Sequence, residues 1–474
     1  MGVLVAYLVF SPLLEVIGLP ISFRAVSLMD WQRIFELLAA ALVILTLAPY
    51  AIASDRRWAI RISWWQLAGW TGFFTLGFFS AARSYAPAVA WLEWSWTLSW
   101  FVMTALLLLL PFSDKEAFTE LACTWVVVVL ASYSSLFYIL NSDALFDVNP
   151  ILAMTFPGFS NVRVLSDYQT GILFLIPVAI RNRVAPGPWR WLAWLLGGLY
   201  VAIVFATGSR SVLLGQFVAC GGIWVLLGSR CRRFLALHAR LVLLGFVIYS
   251  LLFVLLPILT GDEVVGARFL RSNASGRIEL WSLAWSMAAA FPWLGAGPMH
   301  FAVYVNPIAA SPHNQIMQLL AEWGIPATIV FIVLVGHWLI WRLRLLAKRH
   351  VSGIDSDHHF DIAVIAALIA LFAQSMVSPV FNNPTSQILL TLFSALAVKS
   401  VTSAGKPDGP FGYRAVSVAA LVSLVGIAWS VAPWLARISE RNDCYSLSLI
   451  DRPDRIYMPR FWQQGWILPY CESP

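Results

Sequence analysis

Ser311-Pro-His-Asn-Gln-Ile-Met-Gln-Leu-Leu-Ala-Glu-Trp-Gly324 opens a helical pattern that runs straight into the apolar stretch 325–341, and the polar segment 261–312 precedes it. Before that segment the chain is again a series of long apolar runs. A chain that leaves an apolar phase, stays polar for a stretch and returns is one that exits and re-enters a membrane. The return places His313 at a water-facing mouth. Histidine titrates near neutrality, and the partial positive charge of a helix's first turn favours the neutral imidazole, the form that accepts a proton. A general base suits that position.

Composition extends this reading to the whole chain. Of 474 residues, 60% are hydrophobic and 12% charged, with a mean hydropathy of +0.77, which excludes the two or three soluble domains the length alone would allow. The 24 tryptophans fit, because indole concentrates at bilayer interfaces. Crossing about 30 Å of hydrocarbon takes roughly 20 residues. Runs of that kind lie near 3–23, 34–53, 64–81, 92–112, 121–141, 191–207, 211–228, 241–260, 325–341, 362–380, 387–401 and 415–436, with a shorter one at 170–180. The expected fold is all-α, a polytopic membrane protein with about 12–13 transmembrane helices. Its parts are an N-terminal bundle over 1–260, an exoplasmic helical loop over 261–312, C-terminal transmembrane helices over 313–436 and a tail over 437–474. Met1 to Ile21 lacks a basic start and an Ala-x-Ala exit, so the first span is expected to stay in place as a helix.

The cations set the orientation. Arg56, Arg57 and Arg61, Lys115, Arg181, Arg183 and Arg190, Arg230, Arg232, Arg233 and Arg240, Arg342, Arg344, Lys348 and Arg349, and Lys399, Lys406 and Arg414 all fall on one side if the runs alternate. That side is expected to be cytoplasmic. The segments 142–168, 208–210, 261–312, 381–386 and the tail are then exoplasmic. The net charge of +7 reflects this bias and argues little for nucleic acid. Cys123, Cys220 and Cys231 read as small apolar or reduced residues. Cys444 and Cys471 share the tail and are expected to pair in an oxidising compartment.

Within 261–312, Ser275 to Ala290 reads as an amphipathic helix capped by Ser275 and ended by Phe291-Pro292. Gly295-Ala-Gly-Pro298 makes a turn, and Ser311-Pro312 is expected to cap the next helix with proline at its first position. Three arginines stand where arginine is costly unless used: Arg210 at the junction of two spans, Arg277 in the first turn of the loop helix, and Arg163 in 142–168. Guanidinium binds phosphate oxygens bidentately, so a cluster of two or three suits a diphosphate. Each has a plainer reading: Arg210 as a snorkelling anchor, Arg277 as a solvated helix residue, His313 as a capping histidine. His300 reads as structural, and His337, His350, His358 and His359 fall toward the other side. Asn314, Gln318 and Glu322 recur every four residues as a polar stripe supporting the His313 helix, with Glu322 holding the helix in place. The sequence shows no Walker loop, and no DxD, HExxH or clustered Cys/His ligands in an exoplasmic segment, so the expectation is a reaction with no cofactor and no metal, in which fixed arginines serve the diphosphate.

Arg210 in Gly-Ser-Arg, Arg277 in Ser-Gly-Arg-Ile-Glu-Leu-Trp, Phe291-Pro-Trp-Leu-Gly-Ala-Gly297 and His313-Asn followed by Gly324 occur in this order. From about residue 200 to 390 the chain resembles the O-antigen ligase superfamily, which includes O-antigen polymerases and bacterial protein O-oligosaccharyltransferases. Ala327 stands where that family has a small or hydroxyl residue. The resemblance implies inverting, metal-independent transfer of a glycan from an undecaprenyl diphosphate-linked donor to an acceptor hydroxyl at the periplasmic face of the bacterial inner membrane, the loop 261–312 then being a periplasmic helical subdomain. The acceptor would be lipid A-core, another glycan or a pilin-like protein, with membrane lipids around the carrier tail. A flippase is a second class of reading; it would be expected to show inverted repeats and charged groups at depth on both sides.

Overall fold

The computed structural model describes residues 2–11, 28–53, 63–108, 115–140, 159, 162–181, 187–261, 276–304, 306, 308–351, 358–399, 413–435 and 460–462. Among these the elements are helices: α1 (Gly2–Phe10), α2 (Leu28–Ala53), α3 (Trp64–Arg83), α4 (Pro87–Leu107), α5 (Lys115–Leu140), α6 (Val162–Leu173), α7 (Ile176–Arg181), α8 (Gly187–Ala206), α9 (Arg210–Leu227), α10 (Arg232–Tyr249), α11 (Arg277–Ala290), α12 (Gln315–Val351), α13 (His358–Gln374), α14 (Pro384–Lys399) and α15 (Tyr413–Leu435). A π-helical stretch, Ser250–Leu255, carries α10 on to Thr260. Met29–Tyr50, Arg163–Arg181, Arg210–Thr260 and Gln315–Lys348 are long and apolar enough to cross a membrane, with shorter apolar helices beside them. The chain is an all-α polytopic membrane protein. Phe217, Val225, Leu259 and Trp429 point outward from the bundle, as side chains facing lipid do.

Two of the expected runs change. The short run at 170–180 is the end of a longer element, because α6 passes through a single turn into α7. This stretch is enclosed by other helices along nearly its whole length. Arg163 consequently stands in the first turn of α6 and not in a loop. The described part of the first run, α1, spans about 14 Å at 1.5 Å per residue, roughly half the hydrocarbon thickness; most of the remainder of 3–23 lies outside the described residues.

The segment that positions the site is set by Glu322-Trp-Gly-Ile-Pro326 in α12. Pro326 has no N–H to give the carbonyl four residues back, which is Glu322. Gly324 adopts φ 84°, ψ 171°, a conformation open to glycine but not to a side-chain-bearing residue, and the helix breaks there. The released carbonyls find other donors. Glu322 O accepts from Gly297 N at 3.0 Å and from Ser80 Oγ at 2.9 Å. Ala321 O accepts from Ala296 N at 2.9 Å, and Ile325 N donates to Pro292 O at 2.8 Å. The stretch after α11 is thereby fastened, backbone to backbone, onto α12. On the opposite face Trp323 stacks on Phe73, with centroids 4.7 Å apart and planes at 7°, in the space left by Gly77 of α3, whose added Cβ would come within 2.0 Å of the indole.

Both helix starts differ from expectation. α11 begins at Arg277 with Gly276, φ 71°, as its cap, and Ser275 lies outside the described residues. α12 begins at Gln315, so Pro312 is not its first residue. Asn314 is the cap, its Oδ1 accepting from Ile316 N at 3.0 Å and Met317 N at 3.1 Å. His313 therefore precedes the helix, with φ 52°.

Candidate active site

Each of the three arginines sits at a helix start: Arg163 as the second residue of α6, Arg210 as the first of α9 and Arg277 as the first of α11. The caps of α9 and α11, Ser209 and Gly276, make no side-chain cap hydrogen bond. First-turn N–H groups and guanidinium groups thus combine, the arrangement in which helix termini hold anions. The three side chains share one site. Burial lowers the pKa of Arg277, and the neighbouring charges of Arg163 and Arg210 lower it further. Its Nε is buried with no hydrogen-bond partner, an unmet donor inside a cluster of like charges.

His313 faces the same cluster. Burial, then Arg163, then Arg277, push its pKa down to about 3, so the imidazole is neutral at physiological pH. The expectation of a neutral histidine holds, but burial and arginines produce it, not a position inside the helix's first turn. The left-handed φ of a non-glycine residue is uncommon, and such conformations concentrate at functional sites.

A chain of hydrogen bonds joins the four elements. Trp281 Nε1, one turn beyond Arg277, donates to Pro312 O at 3.0 Å, fixing α11 against the His313 loop. Gln315 N donates to Ser375 O at 2.9 Å. Gln374 Nε2, beside it, donates to Asp167 Oδ1 at 2.9 Å and to Ser211 Oγ at 3.3 Å, and the hydroxyls of Ser166 and Ser209 pair with each other. Asp167 also accepts from Ser378 Oγ at 2.5 Å and from Asn383 Nδ2. It lies one turn after Arg163 and is fully buried. Asp167→Asn turns one acceptor into a donor facing a donor. It should lower stability by about 1–3 kcal/mol and reduce activity together with it, measured by thermal unfolding in detergent; an unchanged midpoint would remove Asp167 from the scaffold.

The supporting stripe divides its work. Asn314 caps α12. Gln318 donates to Glu93 Oε1 at 3.3 Å. Glu322, 0% exposed, accepts from Phe301 N at 3.0 Å and pairs with Arg460 at 2.6 Å. His300 fastens the loop to the α3–α4 turn: its Nδ1–H donates to Pro298 O and its Nε2 accepts from Ala86 N, both at 2.9 Å. At the other end of the bundle Arg230 donates to Ala347 O at 2.8 Å and Arg181 meets His359, in keeping with the one-sided basic residues of the sequence. Cys444 and Cys471 lie outside the described residues. Asp167, Glu93 and Arg460 were not singled out in the sequence; an acidic residue one turn from Arg163 within an apolar run was the available signal for the first.

The family described as O-antigen ligase matches residues 191–332. The match takes in Arg210, Arg277, His313, Asn314, Gln318 and Glu322, leaves out Arg163, and stops short of the region near 390 that the resemblance covered. No curated protein matches the chain. Residues 191–332 of this membrane protein are thus similar to the O-antigen ligase family, and that likeness supports a glycosyltransferase-like role in glycan processing.

Proposed function

We propose that the protein is an inverting, metal-independent glycosyltransferase that moves a glycan en bloc from undecaprenyl diphosphate to an acceptor hydroxyl at the periplasmic face of the bacterial inner membrane. The observation carrying this reading is the convergence of Arg163, Arg210 and Arg277, at three helix starts, beside a neutral His313. The acceptor oxygen attacks the anomeric carbon from the face opposite the carrier, the bond to the diphosphate oxygen breaks, and the hydroxyl proton passes to the imidazole. The guanidinium groups bind the diphosphate and stabilise the charge that grows on it as it leaves, the term that usually dominates such catalysis. A bound diphosphate also offsets the positive field on His313 and raises its basicity, so the base is strongest when the donor is loaded. The acceptor is lipid A-core, as in a ligase, or Ser/Thr of a pilin-like protein; extension of another lipid-linked glycan is the alternative. In this reading 261–312 is the periplasmic subdomain and 437–474 a periplasmic tail.

The test is purified protein in detergent and EDTA with a polyprenyl diphosphate-linked glycan and each acceptor class in turn. Glycosylated acceptor and free carrier diphosphate are the expected products. No product from any acceptor, with glycan translocation in sealed proteoliposomes, would make the protein a transporter.

A further inference from the structure

Arg460, Phe461 and Trp462, from the segment after α15, are all buried, Arg460 at 1% exposure. Arg460 reaches into the bundle and bridges two carboxylates, Glu93 of α4 at 2.9 Å and Glu322 of α12 at 2.6 Å. Its NH1 donates to Asn382 Oδ1 at 3.1 Å, and Asn382 Nδ2 in turn meets Gln318 Oε1 at 3.5 Å. Arg33 of α2 grips the next residue: its Nε donates to Phe461 O at 3.0 Å, its guanidinium lies 4.4 Å from the centre of the Phe461 ring, and its NH2 donates to Asn382 O at 2.6 Å. Arg460 and Phe461 are thus held by side chains from α2, α4, α12 and the α13–α14 connection. Two of those contacts end on Gln318 and Glu322, one and two turns along the helix that Asn314 caps directly after His313.

We propose that Arg460 is a positioning residue: with Phe461 and Trp462 it is a wedge that fixes the rotation and depth of α12, and so holds His313 against the arginine cluster. This rests on the function proposed above. Without the guanidinium, buried Glu322 and part-buried Glu93 lose their counter-charge, and, separately, α12 loses the direct tie to α4 and to Asn382 that fixes its rotation and depth. The loop goes with them, because Glu322 also holds Phe301 N and Gly297 N.

The experiment compares wild type with Arg460→Met and with Arg460→Met/Glu93→Gln/Glu322→Gln, in which both carboxylates are replaced by neutral amides and glutamine still accepts from Phe301 N. The triple variant is expected to regain the thermal stability that the single variant loses. It should still show kcat for transfer reduced by up to about a hundredfold, as a misplaced base does, with the donor KM little changed. Hydrogen exchange should be faster across 296–301 and 314–325, a readout that holds even if transfer is not the activity. Wild-type kcat and wild-type exchange in the triple variant would show that Arg460 only neutralises buried charge, and would overturn the proposal.

Discussion

His313→Asn is expected to cripple the proposed glycosyl transfer while leaving the protein folded and membrane-inserted. Asparagine is the informative replacement, because position 313 has φ 52°, a region asparagine enters more readily than alanine. The variant therefore loses the imidazole without adding backbone strain, and a fall in rate is assignable to proton transfer. That loss is about 10²–10⁴-fold, measured as single-turnover transfer; His313→Ala should lose as much and some stability besides. Wild-type transfer by either variant would remove the catalytic role. The pH dependence is a second signature. The acid limb of kcat/KM for the donor, which reports the free enzyme, lies well below the ordinary histidine range, since His313 is held at about 3. The acid limb of kcat lies higher, because bound diphosphate offsets Arg163 and Arg277. Stability follows the same shift. Between pH 3 and about 6.5 the unfolded chain binds a proton that the folded site refuses, so stability rises with pH across that window and is lost as pH falls. His313→Asn should flatten that slope.

Arg277→Lys carries the next largest effect. Lysine keeps the charge but is a point donor on a flexible stem, and the planar fork that matches two phosphate oxygens is gone. Arg277 is held by burial among Arg163 and Arg210, with its Nε unmatched. In the proposed function, an oxygen of the donor diphosphate accepts from that nitrogen. Donor affinity should fall by at least tenfold, about 1.4 kcal/mol, with kcat falling too as the leaving group loses its clamp. Titration with an undecaprenyl diphosphate analogue measures the first; unchanged affinity would refute the bidentate model. Arg277→Met removes one of the charges depressing His313, so the kcat/KM limb should move up in pH even as the rate drops.

The transmembrane character and the four central side chains were legible in the sequence for one physical reason. In a chain this apolar, a charged or imidazole group outside the basic side is expensive, which brought Arg163, Arg210, Arg277 and His313 forward, while position left the plainer readings of Arg210, Arg277 and His313 open. The helix starts were less legible, because Ser311 and Asn314 are both good caps and only the hydrogen bonds from Ile316 and Met317 to Asn314 decide between them. Asp167 and Arg460 were not legible. Their partners, Asn383 for the first and Glu93 and Glu322 for the second, are each more than a hundred positions away, and no local spacing announces such a pairing. The break in α12 could have been read from Gly324-Ile-Pro326, although not which donors its freed carbonyls would find.

That break has a consequence for how the stretch after α11 can move. An atom added at Gly324 would lie 2.6 Å from Trp293 O, and one at Gly295 would lie 2.3 Å from Glu322 C: the two main chains touch with nothing between them to slide on. A cover that cannot slip over its support cannot open as a hinged flap does. Any movement of Pro292–Gly297 must therefore carry the part of α12 before Gly324 with it, as one stiff piece about the bend.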